Sequence, residues 1–125
     1  MDKKNILERA KELSDSGREE DARILLIEYI KESPEDIAGL LMLGGSYYTE
    51  KLYSEATVVF KRLVQLAPGV GKVSTALFNT LWQQEMHEEA LQEIQRFISV
   101  ADKEKERATL KEYVAVARRM MARSN

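Results

Sequence analysis

The sequence has no cysteine, which excludes disulfides, thiolate metal sites and a small secreted fold stapled by them. It holds only two prolines and six glycines among 125 residues, with no stretch rich enough in either to form a linker. A single domain over residues 1–125 is therefore expected. An excess of charge of one sign is also missing, because 19 Lys and Arg against 21 Asp and Glu leave a formal net charge of −2. Without a basic surplus there is no footprint for nucleic acid. Long hydrophobic runs are absent too, the most apolar being Leu40 to Gly45, far short of the roughly 18 residues a bilayer span needs. Met1-Asp2-Lys3-Lys4 leads directly into a charged amphipathic segment, not into an apolar stretch with a cleavage site. These absences predict a soluble, cytoplasmic chain with neither a membrane nor a nucleic acid as partner.

What is present is a period. Pro34 and Pro68 stand 34 residues apart, and the same offset carries Ala22 onto Ala56 and Ala90. Related text surrounds each alanine: Gly17-Arg-Glu-Glu-Asp-Ala22, Lys51-Leu-Tyr-Ser-Glu-Ala56 and Glu85-Met-His-Glu-Glu-Ala90. A large apolar residue follows each alanine by four positions (Leu26, Phe60, Ile94) and another by seven (Tyr29, Leu63, Phe97). That spacing belongs to a helix face, and no strand-type alternation competes with it. Gly17, Ser33-Pro34, Pro68-Gly69 and Gly71 punctuate the helices. The pattern predicts helices near 3–15, 18–32, 36–49, 53–66, 72–84, 86–100 and 103–122. Ser33 before Pro34 suits an N-cap followed by proline at the first helical position, with Asp36 as the capping-box acid. In the last helix Leu110, Tyr113, Val114, Ala117 and Met121 make the expected apolar stripe. Arg118, Arg119 and Arg123 at its C-terminal end complement the helix dipole.

Leu40, Leu43, Gly44, Tyr47, Ala56, Phe60 and Pro68 fall at the spacings of a known repeat, and residues 35–68 resemble the tetratricopeptide family. Gly44 and Ala56 are small where two helices approach closely, and Tyr47 and Phe60 fill the space beside them. The flanking units match at Ile6, Ala10, Leu13, Ala22, Leu26 and Pro34, and at Leu77, Leu81, Ala90, Ile94 and Phe97. They depart from the pattern at Arg9, where leucine is usual, and in the third unit at Ser74, Phe78 and Asp102, which replace an aromatic, a small residue and the proline. The resemblance implies an all-α fold: a right-handed superhelix of antiparallel helix hairpins, an α-solenoid of about seven helices. Its repeats would cover approximately 3–36, 37–70 and 71–104, with a capping helix over 103–122.

Catalytic readings find little support in the sequence. Gly69-Val-Gly-Lys72 lacks the glycine a phosphate loop requires at position 66, has Val73 in place of a magnesium-binding hydroxyl, and follows no strand. His87 is the only histidine, and its place beside an interhelix turn suits a structural role. Adjacent carboxylates such as Glu19-Glu20 and Glu88-Glu89 diverge on a helix surface and are read as solvated faces. No nucleophile, base and oxyanion site come together, so neither an enzyme nor a cofactor or metal is expected.

A binding role rests on apolar residues surplus to the core. Leu41 and Tyr48 share a face beside the Leu40, Leu43, Gly44, Tyr47 stripe, and Trp82 occupies the place of Tyr48 one repeat later. The first helix of each tetratricopeptide hairpin lines a concave groove. The resemblance thus implies a groove faced by Lys4, Leu7, Lys11, Leu41, Gly45, Tyr48, Lys72, Thr75, Asn79 and Trp82, with Ser14 and Ala38 beside them. A partner peptide or helix anchored by Tyr48 and Trp82 is the expected ligand, making the chain an adaptor or a specific chaperone. The family's clamp for a chaperone C-terminal carboxylate is not expected, since Leu7, Lys11, Met42 and Ala76 stand where its other side chains belong and only Lys72 agrees. The alternative is a self-assembling structural protein that oligomerises through the groove or the C-terminal helix, where Met120, Met121 and Ala122 end the stripe.

Overall fold

The computed structural model describes residues 2–124, with side chains through Arg123. The elements are α1 (Lys3–Asp15), α2 (Glu19–Glu32), α3 (Ile37–Thr49), α4 (Tyr53–Leu66), α5 (Gly71–Gln83), α6 (His87–Val100) and α7 (Arg107–Ser124). The described residues form no strand. Both ends of α1 and α2 recur 34 residues on in α3 and α4, and again in α5 and α6. Each helix packs on its sequence neighbours from α1 to α6, and α7 lies across α5 and α6. The array is a helical solenoid of three hairpins and a closing helix.

The hairpin turns obey the same period in backbone geometry. Gly17, Lys51 and Glu85 all adopt left-handed conformations, with φ of 79°, 61° and 60°. The next amide in each case reaches back to a carbonyl near the helix end: Arg18 to Leu13 at 2.8 Å, Leu52 to Tyr47 at 2.8 Å and Met86 to Leu81 at 3.0 Å. Together with the shorter bonds from Gly17, Lys51 and Glu85, these satisfy carbonyls that a helix end would otherwise leave unpaired.

Between hairpins the structure departs from the expected N-cap. Ser33 is the C-cap of α2, not the N-cap of α3; Asp36 is itself the N-cap of α3, accepting from the Gly39 amide at 2.8 Å. Lys3 holds the other carboxylate oxygen at 2.6 Å, tying α1 to the start of α3. Burial opposes the charge on Asp36, but the bonds from Lys3 and the Gly39 amide outweigh it and leave the carboxyl below its usual pKa.

The small residues mark where helices touch. Ala22, Ala56 and Ala90 are all buried, as are the large residues that follow them. A Cβ on Gly44 would collide with the Phe60 ring, so α3 and α4 can cross closely only without one. Ala10, Leu26 and Leu43 form a small cluster under the first hairpin, and a larger one runs from Leu40 through Phe60, Leu77 and Phe97 to Tyr113. The core is thus continuous from the second hairpin into the closing helix, as stacking of repeats requires.

α7 accounts for the departures in the third unit. Ser74, buried where an aromatic is usual, leaves room for the Tyr113 ring, which packs against Phe78 at 5.7 Å and edge-on against Phe97 at 5.6 Å. The Tyr113 hydroxyl lies 2.7 Å from Ser74 Oγ, and Ser74 donates to Glu93 at 2.6 Å. Arg96 completes this chain, gripping Glu93 through two nitrogens at 2.7 and 2.6 Å and donating to the Pro68 carbonyl at 2.8 Å. No buried side-chain nitrogen or oxygen among the described residues lacks a partner, which is what makes a buried Glu tolerable.

Further up, α5 has no side-chain N-cap of its own. Its first amide, Gly71, donates to the Glu106 carboxylate at 2.8 Å, and a Cβ at Gly71 would strike Glu106 and Thr109. α7 begins at Arg107, not at the expected 103, because Asp102 accepts from the Glu104 and Lys105 amides at 2.9 Å and holds a separate turn there. Its buried face also differs from the expected stripe. Tyr113 is buried and Leu110, Val116, Ala117 and Met120 are partly covered, whereas Val114 and Met121 point outward.

Candidate functional site

α1, α3 and α5 present ten side chains expected to face a groove, and the structure divides them. Lys4 and Lys72 are exposed. Leu7 packs against the cluster under the first hairpin, and Leu41 against the larger core. Lys11 and Gly45 meet across a cleft of about 230 Å³ between α1 and α3, together with Ser14, Met42 and Ser46. Gly45 leaves this cleft open, since a Cβ there would have nothing within 4 Å. The cleft floor carries Glu19, which accepts from Ser46 at 2.6 Å and from Ser14. Glu19 is therefore fixed between helices and not on a solvated face.

The aromatic positions repeat as pairs. Tyr48 meets Tyr53 edge-on at 5.3 Å, and 34 residues later Trp82 lies against His87 at 4.1 Å. Each pair joins the end of a first helix to the start of the second across the hairpin turn. Trp82 additionally stacks on Phe78 at 5.7 Å. Both Tyr48 and Trp82 are half-buried, so each packs against the core while leaving part of its ring exposed.

Beside the last of the expected residues stands α7, which packs on α5 and α6. Thr75 lies near the Tyr113 hydroxyl, close enough to lower its pKa against the effect of burial. Asn79 and Trp82 line a cleft of about 300 Å³ whose far wall is Val116, Arg119, Met120 and Arg123. The sequence predicts a capping helix here, or a self-assembly surface, and does not place α7 as a wall beside Asn79 and Trp82. Its signal was available in the spacing of Tyr113, Val116, Met120 and Arg123, which share one helical face.

Among the described residues no three His, Cys, Asp or Glu side chains are placed to hold a metal ion. No described helix is long and apolar enough to cross a membrane.

No protein-family model matches the sequence, and no curated protein does. Solved structures do match. The Yersinia enterocolitica type III secretion chaperone SycD, determined in complex with a peptide of the translocator YopD, superposes with a TM-score of 0.82 at 15% identity, covering 98% of this chain and 94% of that one. The chain has a tetratricopeptide-like helical-repeat fold. A MamA mutant aligns with a TM-score of 0.67 and 26% identity over 75% of this chain. MamA from Desulfovibrio magneticus RS-1 aligns with a TM-score of 0.69 and 20% identity over 77%. The tetratricopeptide-like array spans about half the length of these MamA chains, 52% and 54% respectively.

Proposed function

We propose that this tetratricopeptide-like array is a protein-interaction module, an adaptor or specific chaperone, that holds a segment of a partner protein on its inner face. The observation that carries this reading is the repeated aromatic pair, Tyr48 with Tyr53 and Trp82 with His87, set along the same face one period apart. Half-buried Tyr and Trp are rigid, have large apolar areas and lose little entropy on contact, the properties of residues that dominate binding energy. The open cleft at Gly45 lies on α3, the helix that carries Tyr48, and gives an incoming side chain somewhere to go. A likeness to SycD, a chaperone solved with a peptide, agrees with such a role. The test is affinity capture with wild type and the Tyr48→Ala/Trp82→Ala variant. Partners retained by the wild type should be lost from the variant, with affinity weaker by at least about 2 kcal/mol. Equal capture by both would remove the inner face from consideration.

Self-assembly is a second reading, favoured by Val114 and Met121 standing exposed on α7. Light scattering across a concentration series checks it. Growth in mass that Met121→Lys abolishes would support it, and a constant monomer mass would end it.

A further inference from the structure

The two clefts that flank the last turns of α7 differ from the others in charge. One, of about 300 Å³, lies between α5 and α7; the other, of about 570 Å³, lies between α6 and α7 and is lined by His87, Leu91, Ile98, Ala117 and Met121 among others. Trp82, Met120 and Arg123 line both, so the clefts are two sides of one surface wrapped around the end of α7. The chain has 21 acidic residues, yet none lines either cleft among the described residues. Arg119 and Arg123 stand there instead, and neither pairs with a described carboxylate. By contrast Glu19 sits in the α1/α3 cleft, Glu89 and Glu93 line the hollow between α5 and α6, and Glu28, Glu32 and Asp36 line that beside α2.

Apolar surface remains uncovered beside these arginines. Ile98 occupies the α6 position that Ile30 holds in α2 and Val64 in α4. Val64 is buried by the helix that follows it, but Ile98 is 45% exposed and Met121, across the cleft, is 67% exposed. The reason is geometric: α7 is fastened at its start by Glu106, Thr109 and Tyr113, and its last turns leave room on both sides. An apolar floor with unpaired cations at its rim attracts a segment carrying the opposite pattern.

We propose that this surface binds an acidic amphipathic segment of a partner protein, placing aliphatic or aromatic side chains against Trp82, Ile98 and Met121 and carboxylates against Arg119 and Arg123. The proposal rests on the interaction-module reading and adds where on the array the segment docks and what chemistry selects it. Two arginines with free planar forks suit bidentate capture of carboxylates.

The experiment titrates the whole chain with a capped synthetic peptide of Leu and Glu at helical spacing, and with a counterpart carrying Lys in place of Glu. Trp82, the sole tryptophan, reports occupancy by its emission. The Leu/Glu peptide should shift that emission and bind at least about tenfold more tightly than the Leu/Lys peptide, with affinity falling as salt rises. Arg119→Gln/Arg123→Gln should remove that preference without moving the melting temperature, Arg119→Lys/Arg123→Lys should restore most of it, and Lys4→Gln/Lys11→Gln should leave it intact. Equal binding of both peptides, binding that leaves Trp82 emission unchanged, no binding at all, or an affinity indifferent to the two arginines would each overturn the proposal. Should the peptide fail while partner capture still depends on Tyr48 and Trp82, the module reading stands and the acidic preference falls.

Discussion

Two neighbouring glycines in α3 meet different surroundings, and the difference is measurable. A methyl on Gly44 meets the buried Phe60 ring, whereas one on Gly45 meets open space. Gly44→Ala should therefore destabilise the fold by about 1–3 kcal/mol, the usual range for overpacking. Gly45→Ala should stabilise it by up to about 1 kcal/mol, because alanine loses less backbone freedom in a helix than glycine. Thermal melts of the two variants should move in opposite directions. The turn residues give a second contrast. Lys51 and Glu85 hold left-handed conformations that cost a side-chain-bearing residue energy, while Gly17 holds the same conformation freely. Lys51→Gly or Glu85→Gly should stabilise the fold and Gly17→Ala should destabilise it, each by about 0.5–1 kcal/mol as read from denaturant unfolding. In the sequence only Gly17 announces such a turn. Lys51 and Glu85 are visible solely through the period, because helix packing on both sides imposes the turn whatever residue stands in it.

At the scale of elements, helix ends and the docking of α7 are the informative places. Asp36→Ala removes the cap of α3 and should cost about 1 kcal/mol in denaturant unfolding at neutral pH. Since its folded pKa is depressed, the charge on Asp36 contributes fully above its unfolded value near 3.9, and the contribution fades as pH falls through the lower folded value. The difference between wild type and variant should shrink in that acid window. Tyr113 behaves oppositely: burial, only partly offset by the bond with Ser74 and by nearby Thr75, raises the pKa of its hydroxyl. Its contribution is complete below the unfolded value near 10 and is lost as pH climbs toward the folded one. Tyr113→Phe should cost about 1 kcal/mol at neutral pH and flatten the alkaline fall in stability. The helices themselves were legible in the sequence because apolar residues at three- and four-residue spacing admit no other regular structure. The face of α7 was not. Periodicity counts apolar residues, whereas Tyr113 docks through its bond to Ser74 and its packing on Phe78 and Phe97, and with that face inward Val114 and Met121 stand outward. For the same reason Ser33 looked like a cap, since local sequence cannot show that α2 ends on it.

Across the whole molecule, stability is shared between neighbours, so a defect in the central hairpin touches both sides. Ala56 is fully buried between α3 and α4. Ala56→Leu should cost about 1–3 kcal/mol and lower the melting temperature of the entire array in one transition; an unaltered melt would contradict the register. The candidate site was legible to the same depth as the period, which aligns Tyr48 with Trp82 but cannot show that α7, from outside the repeats, walls a cleft with Trp82. The docking of α7 has a consequence for how the chain is made. The first amide of α5 waits for Glu106, a residue 35 positions downstream, and Ser74 waits for Tyr113. A nascent chain leaving the ribosome can close its first two hairpins as they emerge, but the third is finished only when α7 folds back over it. Losing Glu106 and α7 would thus be felt at once in the interior of the array, where Gly71 would be left without its acceptor and Ser74 without Tyr113.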